Sequence, residues 1–156
     1  MRAPWLLPVL FFLLFVPAQA GHSPPKIFLR VHIQTAGDGM SSQETTTIAI
    51  PPNGERILIR SLPEITENDL ADVQQDPSGT IRLIFNHHGQ IALNAVTGEN
   101  QGRILVVLID GYVVYAPTID EQINSGELDI PHQLNPQVMQ LLQETAKKNN
   151  QQAART

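Results

Sequence analysis

Five histidines, a scatter of carboxylates and a complete lack of cysteine set the limits of the chemistry this 156-residue chain can attempt. Without thiols there is no disulfide scaffold, no thiolate metal site and no cysteine nucleophile. A histidine metal site needs imidazoles that share one face of an element. His22 falls in a polar lead-in, His32 on the minor face of a strand and His132 in a loop, while the neighbours His87 and His88 point apart at a helix start. These spacings predict no metal site. The rival reading is a small exported hydrolase or metal-binding protein that uses His87, His88 and nearby carboxylates. Asp120, Glu121, Glu127 and Asp129 cluster as a solvated face, and a glycosidase pair would need two carboxylates converging across a cleft. The chain has no G-x-S-x-G and no phosphate-cradling glycine loop, so no catalytic residue and no cofactor is predicted.

The apolar fraction of 42% is concentrated at the amino terminus. Arg2, the run Leu6 to Val16, Pro17 and the small-x-small triplet Ala18-Gln19-Ala20 follow the order of a secretory signal peptide. Spanning a bilayer takes roughly 20 apolar residues, and this run is much shorter and contains Pro8. Residues 1–20 are therefore predicted to be a signal cleaved between Ala20 and Gly21, leaving a periplasmic or secreted chain with no stable membrane span. The formal net charge of -5 becomes one unit more negative once Arg2 is lost. Its basic residues are scattered, which gives no support to nucleic-acid binding. The aromatic residues that remain are Phe28, Phe85, Tyr112 and Tyr115, so the core must be built from Ile, Leu and Val.

Residues 21–26 read as a flexible lead-in. From Ile27 the chain alternates, with Ile27, Leu29, Val31 and Ile33 on one side and Phe28, Arg30 and His32 on the other, the period of a half-buried strand. Strands are also predicted at Thr45 to Ile50, Arg56 to Arg60 and Thr80 to Phe85. Thr66 and Asp69 have capping spacing, and Leu70 and Val73 follow as if on a helix. Ile91, Ala92, Ala95 and Val96 mark one face of a helix within residues 87–100. Arg103 to Ile109 is the most apolar stretch of the mature chain, a central strand covered on both faces. Asp110-Gly111 is a two-residue hairpin signal, Tyr112 to Tyr115 the return strand, and Pro117 its end. Ile119, Gln122 and Ile123 predict a short helix stopped by Gly126, and Leu128 to Ile130 a short edge strand. Asn135-Pro136 is a helix start, and Val138, Leu141, Leu142 and Thr145 give an amphipathic helix that fades into a polar tail, residues 147–156. The fold class is α+β: a two-layer sandwich over residues 27–146, with a mixed, mainly antiparallel sheet and helices packed on one face.

The segment from Gly102 to Ile130 resembles the head of the first periplasmic domain of SecD and SecDF, an accessory membrane subunit of bacterial protein export. The resemblance rests on Thr97, Gly102, Asp110, Gly111, Val113, Ala116, Pro117, Ile119, Ile123, Gly126 and Ile130, and upstream on Ile65 to Leu70. It extends from Ile57 to about Leu142, and it departs where Pro131-His132 stands in place of the family's usual glycine. It implies a free-standing exported copy of the head, without the transmembrane helices and base subdomain of SecD. It also implies a binding module for protein or unfolded polypeptide in the envelope, with Asp110, Gly111, Tyr112, Tyr115, Pro117, Ile119 and Ile123 as the binding surface. Each of these residues also has a packing explanation, and a third reading is a homo-oligomer formed by edge-strand pairing.

Overall fold

A computed structural model describes residues 26–37 and 39–155. The predicted signal segment, its Ala20–Gly21 junction, His22 and most of the lead-in lie outside the described residues.

The most apolar stretch among the described residues forms β7 (Leu105–Ile109), with every residue buried. It lies beside β1 (Leu29–Ile33) in a four-stranded sheet ordered β4-β1-β7-β8, where β4 is Ile65–Thr66 and β8 is Tyr112–Tyr115. The alternation in β1 aims Leu29, Val31 and Ile33 into the main core, where they meet Leu105, Val107 and Ile109. The opposite face of β7, Val106 and Leu108, packs on Ile57 and Ile59. Those two belong to β3 (Glu55–Arg60), which forms a separate antiparallel hairpin with β2 (Thr45–Ile50). Burial on both faces is thus met by two different layers.

A three-stranded sheet, ordered β5-β6-β9, closes the other side of the main core with β5 (Leu70–Gln75), β6 (Ile81–Phe85) and β9 (Glu127–Ile130). Helix α1 (His87–Glu99) is capped by Asn86, whose side chain accepts from the Gly89 N–H. Helix α2 (Pro136–Ala153) is capped by Asn135 and follows the predicted start, with Met139, Leu142 and Ala146 buried. Every pairing among the described strands is antiparallel, and the α+β class is the predicted one.

Four local expectations need correction. After Pro63 there is one 3-10 turn, Glu67–Asp69, and Leu70 and Val73 belong to a strand. The capping box is real, with Thr66 N–H donating to Asp69 Oδ2 at 2.8 Å. The helical spacing is not, because a register shift between Leu70 and Asp72 sets residues three apart on the same buried face. In α1 the buried side is Gly89, Leu93, Val96 and Thr97, and Ile91 is exposed. The inward side includes a glycine and a threonine, which a hydrophobic count overlooks; Gly89 sits so close to Phe85 and Asp69 that an added Cβ would lie 2.8 Å from Phe85 Cβ. No helix forms around Ile119 to Ile123. That segment is held extended by side chains of α1: Ile123 N–H donates to Thr97 Oγ1 at 2.9 Å, and Gln90 Nε2 donates to Asn124 O at 3.1 Å. Helix α2 also continues past residue 146 to Ala153.

His32, expected on the minor face of its strand, is buried beneath the β2–β3 hairpin and its Nδ1–H donates to the Arg60 carbonyl at 2.8 Å. Burial holds its pKa below the ordinary 6.5; the bond to Arg60 opposes this and the Arg30 charge adds to it. The unfolded chain then takes up a proton more readily than the fold. The stability contributed by neutral His32 is complete above about pH 6.5 and declines as pH falls toward the lowered folded value. The melting temperature is expected to drop as pH falls below about 6.5. His32→Asn should lessen that drop, and equal pH slopes for the two proteins would contradict the assignment.

Candidate functional site

The site is built outward from the β7–β8 hairpin. Asp110 and Gly111 both have positive φ, 49° and 84°, as a type I′ turn requires. Asp110 also ties the turn to a distant strand, since its Oδ1 accepts from Phe28 N–H at 2.9 Å and its own N–H donates to Phe28 O at 2.9 Å. The turn is thereby pinned to the start of the first strand. Beyond it, β8 bonds to β7 alone and is the edge of its sheet. The chain then stays in line with the sheet, with Leu105 N–H donating to Pro117 O and Ile119 N–H to Arg103 O, both at 2.9 Å. Residues 112–119 therefore form one extended border, with a register shift near Val107 and Leu108 and with Pro117 lacking an N–H.

Two grooves follow this border. The larger, about 770 Å³, is walled by Ile50, Pro51 and Pro52 on one side and by Leu134 and Val138 on the other, with β8 between them. Val113 packs with Ile50 on one cluster, and Val114 and Tyr115 pack with Leu134 and Val138 on the other, so the strand lies between apolar walls. The second groove, about 510 Å³, is lined by Pro117, Ile119 and Ile123 and by the carboxylates Asp120, Glu121, Glu127 and Asp129. Tyr115 lines both grooves and meets His132 edge to face, with ring centroids 6.4 Å apart.

The sequence-predicted residues are distributed along this border. Asp110, Tyr112 and Tyr115 line the first groove; Tyr115, Pro117, Ile119 and Ile123 line the second; Gly111 stands at the hairpin tip and lines neither. Tyr112 is exposed, whereas Ile119 is buried in the main core, where packing accounts for it. Sequence reading missed the walls, which Pro51, Pro52 and Leu134 help to build. The carboxylates read as a solvated face do line a groove. Asp129 accepts from Arg82 Nε and Nη2 at 2.8 and 2.9 Å, and this guanidinium holds its carboxyl below the ordinary value.

His87 and His88 are exposed at the start of α1, on another part of the fold. His88 Nδ1 lies 2.7 Å from Asp69 Oδ1, and Asp69 is the residue that closes the capping box. Among the described residues no three His, Asp or Glu side chains converge as metal ligands would. No described helix is long and apolar enough to cross a membrane.

Known proteins share this architecture. No curated protein matches the chain in sequence. The structure of a membrane component SecDF that enhances protein export matches with a TM-score of 0.56 at 22% identity, over 78% of this chain and 62% of that one. A crystal structure of SecDF in a super-membrane-facing form matches with a TM-score of 0.55 at 22% identity, over 77% of this chain and 18% of that one. The chain therefore spans less than two thirds of either relative, and at this identity the likeness is one of fold. The family model for the SecDF P1 head subdomain matches residues 38–145, reaching upstream of the Ile57 limit of the sequence resemblance to take in β2. On that match, over most of its length and with the same fold, the chain belongs to the SecDF P1 head subdomain family.

Proposed function

We propose that this chain is an exported, non-enzymatic module that binds unfolded polypeptide in the cell envelope and acts in protein export. The observation that carries the reading is the open border of β8 lying between apolar walls in a groove of about 770 Å³. A concave, largely apolar site bordered by backbone hydrogen-bonding groups suits an extended chain better than a compact polar metabolite. Membership of the SecDF head family supports it, since a relative of the same fold is a membrane component that enhances protein export. In this reading the signal is removed between Ala20 and Gly21, and the chain works in the periplasm or outside the cell. The apolar groove takes side chains of the bound segment.

Fluorescence anisotropy with a reduced, carbamidomethylated and hence permanently unfolded protein tests this directly. Saturable binding to the unfolded probe and none to the same protein in its native form is the expected result. Absence of binding to the unfolded probe would dismiss the reading. Mass spectrometry of the exported protein should find Gly21 as its first residue, and an intact leader would contradict the localisation.

A further inference from the structure

We propose that the polypeptide is taken up as an added antiparallel strand on the outer edge of β8, with its apolar side chains in the larger groove and a lysine or arginine, amino-terminal to them, among the carboxylates of the smaller groove. This rests on the polypeptide-binding reading and adds the mode, direction and charge of the bound segment.

Three features of the border converge on it. First, β8 has a strand partner on one side only, so its outer backbone groups are open to another extended chain, the arrangement in which main-chain bonds supply affinity and flanking pockets supply selectivity. Second, all pairings described in the fold are antiparallel, and antiparallel addition is slightly the more stable per residue. Third, the two grooves lie in sequence along the border, Tyr112 to Tyr115 by the apolar one and Pro117 to Ile123 by the acidic one. A strand running against β8 meets the acidic groove with its amino-terminal part and the apolar groove with its carboxyl-terminal part. Asp120 and Glu121 form no ion pair among the described residues, while Glu127 and Asp129 share Arg82 at 3.5 and 2.8 Å. Carboxylates thus exceed the cation beside them, and a basic side chain is the complement. The register shift near Leu108 and the missing N–H of Pro117 keep the pairing short, as suits a module that must release its cargo.

Peptide probes test the mode while leaving the protein intact. A peptide of about nine residues, two lysines followed by alternating valine and serine, spans the border. Alternate backbone N-methylation of that peptide should weaken binding to the mature chain about tenfold or more, because edge bonds are lost at constant apolar content. Moving the lysines to the carboxyl end, or replacing them with glutamate, should weaken it about threefold to tenfold, an effect that shrinks with added salt. In the Asp120→Asn, Glu121→Gln double variant, both changes lying on exposed side chains, the lysine position should cease to matter. Equal affinity for the methylated peptide overturns strand addition while leaving polypeptide binding in place. Indifference to lysine position in the unmodified protein overturns the direction and charge. Binding of no peptide and of no unfolded protein removes both readings, and a stable dimer by light scattering that peptide does not disrupt assigns the edge to a second copy and overturns the proposal.

Discussion

Leu83→Ala is expected to cost about 2–5 kcal/mol of folding stability, the range for emptying a fully buried leucine site that cannot collapse. Leu83 is fully buried in the middle of β6, itself the central strand of its sheet, with Val73 opposite on one side and Leu128 on the other. A cavity there lies inside the core shared with both helices and the four-stranded sheet, so no loop can move in to fill it. The change removes no hydrogen bond, and the loss is that of burial and packing alone. Urea denaturation should show a lower midpoint with an unchanged slope, since the surface exposed on unfolding is nearly the same. Leu62→Ala, at a side chain 82% exposed, provides the contrast and should shift stability by less than about 0.5 kcal/mol. Similar effects for the two would refute the placement of the core.

Tyr115→Ala is expected to weaken binding of unfolded polypeptide about tenfold or more, the loss typical of a central aromatic anchor at an interface. Tyr115 is the one predicted binding residue that lines both grooves, and its ring is fixed against His132. Removing it takes away the one aromatic ring that lines both grooves. Tyr115→Phe keeps the ring and should retain most of the affinity. The side chain packs at the margin of the main core, so circular dichroism and the urea midpoint must accompany the titration to separate lost binding from lost fold. A folded Tyr115→Ala protein with undiminished affinity would remove the border from the binding site.

The parts of this fold that were legible in sequence are those governed by local chemistry. The period of Ile27, Leu29, Val31 and Ile33 names the buried face of β1, and Asp110-Gly111 names the hairpin, because only a narrow set of residues tolerates positive φ at both positions. The end of β2 at Ile50 is marked by the prolines just after it. Where sequence reading failed, distant partners decided the outcome. Leu70 and Val73 have helical spacing, but a bulge lets a strand present both to the core once β6 pairs with it. Residues 119–123 lack a helix because distant groups take their backbone instead: Ile119 bonds to Gly102 and Arg103, and Thr97 Oγ1 on α1 accepts from Ile123 N–H. The site is the extreme case. Its border was predicted residue by residue from the family resemblance, but its walls come from Ile50 to Pro52 and from Leu134 to Val138, segments far from β8 in sequence that meet it only after folding.

Hydrogen–deuterium exchange of the mature chain, with and without a saturating unfolded polypeptide, tests polypeptide binding at the β8 border most directly. Slowed exchange centred on the amides of residues 112–119, with lesser protection in the groove walls at Ile50 and within residues 132–138, is the predicted result. Unchanged exchange along that border under conditions where anisotropy reports binding would contradict it, and protection centred instead on the exposed start of α1 around His87 and His88 would transfer the site to another part of the fold.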